Sequence, residues 1–402
     1  MNARCNVESG AALFEAALKI LGDRVAYGPG RAHGVGRDVA ALAGEGVKVL
    51  LVADPGVVDA GLAAPVEAAL SGASLQVRVF SDVRSDPLSA QIDGAAEAAR
   101  TLGADVIVAL GGGSAMDVAK MAAGVAPDDK PAEDYVLLSD PFDGPVLPVI
   151  AIPTTAGTGA EMTQSMVFST ADGRKVWTDA LAVRPKLALL DPELTTGLPP
   201  RLTAATGTDA LVHAMESVTS RRTKPETHAP ALEAIRMVRA HLPTAVREPG
   251  NMAARGGMLI AACLAGLAID SGGTAVAHSL GHAIGVLGHV HHGRAVALSL
   301  RAALPGNAAA WPKEHAAVAR AFGLNGAGDD ALAEALPGAF DAFLREVGVE
   351  ISLADHGLGP GDAARLVAEA LKPENRPMLN ATCREIGAAE VRELAREVLS
   401  AA

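Results

Sequence analysis

Asp209 and His213 stand four residues apart in the Ala- and Leu-rich segment Ala204–Thr219. On a helix that spacing projects both side chains from one face, where they can share an ion. Further along the chain His278, His282, His289, His291 and His292 form a dense group, so that His213 and these five make up six of the eleven histidines. A lone histidine is most simply a satisfied structural residue, and the run from His289 to His292 also fits an exposed surface. A carboxylate–histidine pair joined by a cluster of imidazoles reads as metal chemistry. Such donors suit Fe²⁺, Zn²⁺ or Mn²⁺ without choosing between them. With four protein donors, a further open position takes an alcohol or carbonyl oxygen, lowering the pKa of the one or polarising the other. The same ion would equally serve hydrolysis.

A second feature narrows the choice. Gly111-Gly112-Gly113-Ser114 follows the apolar run Val106–Leu110 and precedes a helical pattern. Glycines let backbone N–H groups approach a phosphate, and the helix start behind them adds free donors and partial positive charge. Three glycines in a row exceed what a strand-to-helix turn needs, so the expectation is a dinucleotide pyrophosphate. Thr154-Thr155-Ala156-Gly157-Thr158-Gly159 follows the run Pro148–Ile152 and offers hydroxyls and a pliable backbone to the same ligand. Asp54 closes the run Val47–Ala53 and reads either as an acceptor for ribose hydroxyls or as a turn residue before Pro55-Gly56. Gly28-Pro29-Gly30 has the wrong spacing for a dinucleotide fingerprint and reads as a turn. A nucleotide site beside a metal site favours hydride transfer, with the cofactor doing the redox chemistry and the metal holding substrate oxygen.

The elements that must position these residues change character near residue 195. Before it, buried-strand runs (Val47–Ala53, Leu75–Phe80, Val106–Leu110, Pro148–Ile152, Leu187–Leu190) alternate with helical patterns at Arg37–Ala43, Ala90–Leu102 and Ser114–Ala123. That alternation predicts a parallel sheet covered by helices. After Pro199-Pro200 the long segments Ala204–Thr219, Ala229–Leu242, Met252–Ile269 and Ala364–Leu371 predict helices alone. The expected division is an α/β dinucleotide-binding domain over 1–195 and an all-helical metal-binding domain over 196–402, with the active site in the cleft between them. A short amphipathic helix is expected at Ala11–Leu21. The 402 residues, half of them hydrophobic, suffice for two cores. A net charge of −12 argues against a general nucleic-acid binder. No apolar run reads as transmembrane, and Arg4, Glu8, Glu15 and Lys19 break any secretory segment. Cys5, Cys263 and Cys383 are far apart, which fits a reducing cytoplasm.

From about Val25 onward the chain resembles the iron-containing (group III) alcohol dehydrogenase family. The likeness is most specific from Leu189-Leu190-Asp191-Pro192 through Pro199-Pro200 to Gly207-Thr208-Asp209-Ala210-Leu211-Val212-His213-Ala214-Met215-Glu216, and again at His278-Ser279-Leu280-Gly281-His282 with His292-Gly293 after it. The resemblance implies a dehydroquinate synthase-like architecture: an N-terminal α/β domain with a Rossmann-like parallel sheet, then an all-α domain. It also implies a ligand set of Asp209, His213, His278 and His292, the choice of His292 over His291 or His289 resting on family register. His282 would be a non-ligand histidine near the nicotinamide that passes a proton, with support of the metal ligands as its alternative role. Gly111, Gly112, Gly113 and Ser114, with Asp117 and Lys120, are similar to the family pattern that holds the pyrophosphate. Thr154, Thr155 and Thr158 lie in the loop that would touch the cofactor, and Lys175 resembles a lysine near the nicotinamide ribose. Asp54 stands where relatives that prefer NAD over NADP carry Asp. Asp86 replaces a frequent Asn, Ile269-Asp270-Ser271 replaces a frequently aromatic stretch, and Cys383-Arg384 departs from a more regular segment. The residues before Asp23 lie outside the likeness.

The expected activity is NAD(H)-linked interconversion of a small alcohol and its aldehyde by a cytoplasmic homo-oligomer. One alternative is a maleylacetate reductase-like enzyme acting on an acidic carbonyl compound, whose pocket would gather cations. A sugar-phosphate enzyme of the same architecture would need Lys or Arg near the metal, and Met252–Leu287 offers only Arg255. A non-catalytic NAD-binding regulator with a structural metal is the alternative from another class.

Overall fold

The computed structural model describes residues 14–128, 130–326 and 328–400. They form two compact units, one of residues 21–197 and one of residues 198–400 joined by residues 14–20. Residues 14–21 are helical (α1). The expected start of that helix at Ala11, like Cys5, lies outside the described residues.

In the first unit the order is β1 (Val25–Tyr27), α2 (Val35–Ala43), β2 (Lys48–Ala53), α3 (Pro55–Asp59), α4 (Ala63–Gly72), β3 (Gln76–Phe80), α5 (Ser89–Leu102), β4 (Val106–Gly111), α6 (Gly113–Val125), β5 (Val149–Pro153), β6 (Ser165–Ser169), β7 (Lys175–Asp179) and β8 (Leu187–Leu190). Six strands make one sheet in the order β1-β8-β5-β4-β2-β3, with every pairing parallel. β4 is buried at every residue and β2 at all but its first, as a sheet covered on both faces requires. Alternate residues serve opposite layers. Leu50, Val52, Ile107 and Ala109 pack with Ile92 and Ala95 of α5 and Met116 of α6. Val49, Leu51, Val106 and Val108 pack with Val35 and Val39 of α2 and Val66 and Leu70 of α4.

Helices α3 and α4 go beyond the sequence expectations, as do three of the strands. β1 has only three residues, too few to show a period, and exists because it pairs with β8 from Val25↔Ala188 to Tyr27↔Leu190. β6 and β7 form a separate antiparallel hairpin with half-buried alternation, turning at Asp172-Gly173 with Gly173 at φ 82°. Gly28-Pro29-Gly30 is a turn, and Asp191 fixes it: its carboxylate accepts the N–H groups of Gly30 (3.1 Å) and Ala32 (3.0 Å). The Asp191-Pro192 pair of the family-like block therefore does structural work.

The second unit continues with α7 (Pro200–Thr219), α8 (Pro225–Arg247), α9 (Met252–Gly272), α10 (Val276–Gly288), α11 (His292–Ala310), α12 (Pro312–Ala321), α13 (Asp329–Glu346), α14 (Ala363–Ala370), α15 (Arg376–Ala381) and α16 (Ala388–Ser400). α7 is buried from Thr203 to its end, so it forms the centre of the unit. α9 is long and apolar enough to cross a membrane by composition alone, which the sequence reading did not register; 78% of its most apolar window is buried, so that apolarity belongs to a core. The boundary differs from the expected 195/196: the units divide after Gly197, and residues 14–20 group with the helices, not the sheet. The reason is packing, since Phe14 lies edge-on to His241 of α8 with ring centroids 6.0 Å apart.

Two glycines set the spacing around α11. A Cβ on Gly281 would lie 2.5 Å from Val296 Cγ1, and one on Gly293 would lie 2.1 Å from the Ala205 carbonyl oxygen of α7. Helices α7, α10 and α11 therefore approach as closely as backbone allows. Gly293→Ala is expected to destabilise the helical unit by about 1–3 kcal/mol through overpacking. Gly338→Ala, at an exposed position inside α13 with open space around it, should be stabilising by about 0.5–1 kcal/mol. Urea denaturation of the two variants beside the unaltered chain checks both signs.

Candidate metal centre and dinucleotide turn

Within the helical unit, α7 carries Asp209 and His213, α10 carries His278, and α11 begins at His292. Each offers one donor atom, and the four atoms lie within 4.8 Å of one another. Asp209 Oδ1 is 3.8 Å from His213 Nε2 and 3.6 Å from His292 Nε2. Four donors holding an ion at about 2.1 Å are separated by about 3.4 Å, so this spacing fits one cation. Asp209 Oδ1 and His278 Nε2 are buried with no hydrogen-bond partner among the described residues. A buried acceptor left alone costs free energy, and a metal ion removes that cost. The donor set of one carboxylate and three imidazoles fits a first-row divalent ion.

The other histidines divide clearly. His282, one turn beyond His278, stands beside the group and outside it, its ring 6.4 Å from that of His278 and 5.4 Å from that of His292. His289 ends α10 in the left-handed region at φ 50° and is exposed. His291 is also exposed and caps α11, its Nδ1 accepting the Gly293 N–H at 3.3 Å. The run from His289 to His292 is thus a helix–turn–helix corner from which His292 alone enters the four-donor group.

One residue of the centre carried no role in the sequence reading. Glu216 of α7 is buried, and its Oε2 lies 2.6 Å from His278 Nδ1. Oε2 also accepts the N–H of Ala275, and Oε1 that of Ala277, both at 2.8 Å. The signal was available: Asp209, His213 and Glu216 follow at i, i+4 and i+7, one stripe of a helix.

In the α/β unit, the residues expected to hold a dinucleotide converge at the carboxyl ends of three neighbouring strands: Asp54 after β2, Gly111–Ser114 at and after β4, and Thr154–Thr158 after β5. The chain order turns back between β2 and β4, the switch point where open parallel sheets bind ligands. Gly111 has φ 150°, and a Cβ there would lie 2.7 Å from Asp54 Oδ2. A Cβ on Gly113 would lie 2.7 Å from Thr158 Cγ2, and one on Gly112 would lie 3.2 Å from Thr155 Oγ1. Thr154 joins the two loops by donating its N–H to the Gly111 carbonyl at 2.9 Å. Helix α6 starts at this turn with no side-chain cap, which leaves backbone donors at a cradle that any Cβ would fill. Asp54 is also the cap of α3, with Oδ1 accepting the Val57 N–H at 3.0 Å. Both sequence readings of Asp54 are therefore compatible, because Oδ2 remains directed to the glycine turn.

Asp117 and Lys175 each have a partner within the protein. Asp117 accepts the Val167 N–H of β6 at 3.1 Å and pairs with Lys120 at 3.4 Å; burial pushes its carboxyl above the usual range, partly offset by Lys120. Lys120 is fully buried and donates to the carbonyls of Ala160 (3.1 Å) and Ser165 (2.5 Å) and to Thr163 Oγ1 (3.2 Å). This pair clamps α6 to the Thr/Gly loop and to β6. Lys175 is paired with Asp86 at 2.5 Å, and Asp86 sits at φ 51°. The residue that departs from the family pattern thus binds the lysine expected at the ribose.

Gly113→Ala should lower NADH affinity by about tenfold or more, since its methyl displaces Thr158 from the turn. Zn²⁺ affinity should be unchanged, because the donors lie in the other unit. Titration of nicotinamide fluorescence, beside a chelator competition for Zn²⁺, measures the two.

Comparison with known proteins gives concordant results. A family model described as iron-containing alcohol dehydrogenase matches residues 22–192, and a model of the C-terminal part of the same family matches residues 203–399. A sulfoacetaldehyde reductase of Bilophila wadsworthia is 36% identical over 276 residues, 68% of this chain and 71% of the relative. Among solved structures, a 1,3-propanediol oxidoreductase superposes with a TM-score of 0.88 at 30% identity, covering 94% of this chain and 98% of the other. The sulfoacetaldehyde reductase of Bifidobacterium kashiwanohense, solved in complex with NAD⁺, gives 0.83 at 31% identity, with 94% and 96% covered.

Proposed function

This chain belongs to the iron-containing alcohol dehydrogenase family, and from that premise we propose that Asp209, His213, His278 and His292 hold one catalytic cation while His282 moves the substrate proton. The reaction class is that of a metal-dependent oxidoreductase transferring hydride between NAD(H) and a small alcohol or aldehyde. The observation that carries the site assignment is the convergence of four donors from three helices, with Asp209 Oδ1 and His278 Nε2 buried and unsatisfied.

When bound, the cation supplies Lewis acidity at the substrate oxygen and NAD supplies the hydride acceptor. Fe²⁺ is the ion we assign, with Zn²⁺ and Mn²⁺ compatible with the same donors. The chain does the rest. Ser114 and the backbone of Gly111, Gly112 and Gly113 bind the pyrophosphate, and Thr154, Thr155 and Thr158 line its approach. Asp54 accepts a ribose hydroxyl with Oδ2 while Oδ1 is held by Val57, and its charge repels a 2′-phosphate, which favours NAD over NADP. Lys120 and Asp117 hold that loop in place from behind, and Lys175 is steered by Asp86. His282, close to the donors but outside them, takes the hydroxyl proton during alcohol oxidation and returns it during aldehyde reduction. Three cysteines far apart in the sequence support a cytoplasmic enzyme, which we take to be a homo-oligomer.

The test is an assay of NADH-linked aldehyde reduction and NAD-linked alcohol oxidation after loading with Fe²⁺ or Zn²⁺, on a panel that includes sulfoacetaldehyde and 1,3-propanediol. Turnover with NAD(H) and a clear preference over NADP(H) is expected. Asp54→Gly should raise kcat/KM with NADPH by about tenfold or more. His278→Ala should lose metal and activity together, whereas His282→Ala should retain metal and lose about 10²-fold or more in kcat. Tight NADH binding without turnover anywhere on the panel would favour a regulator, and a His282→Ala enzyme with unaltered rate would remove the proton role.

A further inference from the structure

Glu216 is a buried acid held against His278 of the four-donor group, yet it contributes no donor to that group. Its two oxygens meet three N–H donors: the ring Nδ1 of His278 and the backbone amides of Ala275 and Ala277. A carboxylate only accepts, so the ring proton of His278 resides on Nδ1 and the lone pair on Nε2 faces the group. Nε2 is the same atom that is buried without a hydrogen-bond partner. The amides of Ala275 and Ala277 belong to the first turn of α10, which Glu216 caps from α7. One side chain therefore sets the position of α10, the ring orientation of His278 and its tautomer.

Charge points the same way. Asp209 and Glu216 are each only 2% exposed, and among the described residues their ion pairs are with histidines alone. Two buried carboxylates without a Lys or Arg leave a formal charge of −2, the complement of a divalent cation. His278 stands between them: its Nδ1 is on Glu216, and the donor it offers to the group is within 4.8 Å of the Asp209 donor.

We propose that Glu216 is a positioning residue for the metal: through His278 it fixes the donor lone pair and adds the second negative charge that makes the site electrically neutral with a divalent ion. The proposal rests on the reading that the four donors hold a cation, and the two can fail separately. Gln at this position keeps the volume but turns one acceptor into an NH₂ group. In the place of Oε2, that group opposes the Ala275 N–H and forces the His278 proton onto Nε2, which blocks the donor; in the place of Oε1, it opposes the Ala277 N–H.

The experiment is a double-mutant cycle on the full chain, stripped of metal and titrated with Zn²⁺ in competition with a chromophoric chelator. Thermal unfolding of each apo-protein and the visible spectrum of the Co²⁺-loaded form are recorded beside it. Glu216→Gln is expected to lower Zn²⁺ affinity by about 10–100-fold and to change the Co²⁺ spectrum. In a His278→Ala background, where only weak residual binding is expected, the same substitution should lower affinity by clearly less, since the donor whose lone pair it fixes is gone and only its charge remains. Equal losses in both backgrounds would make Glu216 a helix cap alone and overturn the proposal, as would an unaltered affinity and spectrum in the single variant. If Glu216→Gln does not accumulate as folded protein, Glu216→Asp, which keeps the charge and withdraws it from the ring, takes its place in the cycle under the same criteria. Failure of the unaltered chain to bind one equivalent of Zn²⁺ would instead sink the metal reading itself.

Discussion

Two carboxylates buried on one face of α7, with no Lys or Arg paired to either among the described residues, are the constraint around which the helical unit is arranged. Removing a carboxylate from water is costly unless hydrogen bonds or a counter-charge replace the lost hydration. Glu216 is satisfied by three N–H groups, two of them at the start of α10. Asp209 keeps one oxygen unsatisfied and surrounded by imidazoles. The first arrangement fixes where α10 begins, and with it His278 and His282. The second leaves a buried carboxylate oxygen facing imidazoles, the arrangement proposed above to hold a divalent ion. The absent side chains at Gly281 and Gly293 let α11 come close enough to bring His292 to the same point.

The α/β unit solves a different problem, that of presenting backbone donors to an anion. Parallel strands buried on both faces direct their carboxyl ends to one edge of the sheet, and the order β5-β4-β2 puts three of the ligand-directed segments side by side there. The turn after β4 is bare because its glycines are in contact with Asp54, Thr155 and Thr158. Lys120, with no exposure, ties the loop after β5 and the start of β6 back to α6 through four oxygen acceptors in three residues. The cradle is therefore held from behind by a buried charge and left open in front. Lys120 and Asp117 of this motif hold the turn in shape through their protein partners.

Much of this was legible without coordinates. Strands β2, β4, β5 and β8 are apolar runs, and α7, α8, α9 and α14 are rich in Ala and Leu, so the kinds and approximate limits of these elements follow from local pattern. β1 was not legible, because three residues carry no period and its strand state comes wholly from β8, more than a hundred residues later in the chain. The hairpin of β6 and β7 was legible in principle from Asp172-Gly173, but its short, half-buried strands resemble loop. The placement of residues 14–20 with the helices was not, since an amphipathic segment states that it has a buried face and not which unit buries it.

The same division runs through the site. The sequence by itself determined the donor types: an Asp–His pair one helical turn apart, a histidine cluster, and a glycine turn between strand and helix, because these depend on neighbours in the chain. Tertiary structure decided which of His289, His291 and His292 enters the group, since a corner between two helices sends adjacent residues in different directions. It decided that Asp117 and Lys120 face inward and that Asp86 engages Lys175. It also gave Glu216 its partner sixty-two positions away. A hydrogen bond or a shared ion is a matter of a few ångströms in space, and only the packing of helices against one another brings residues so distant in sequence within that range.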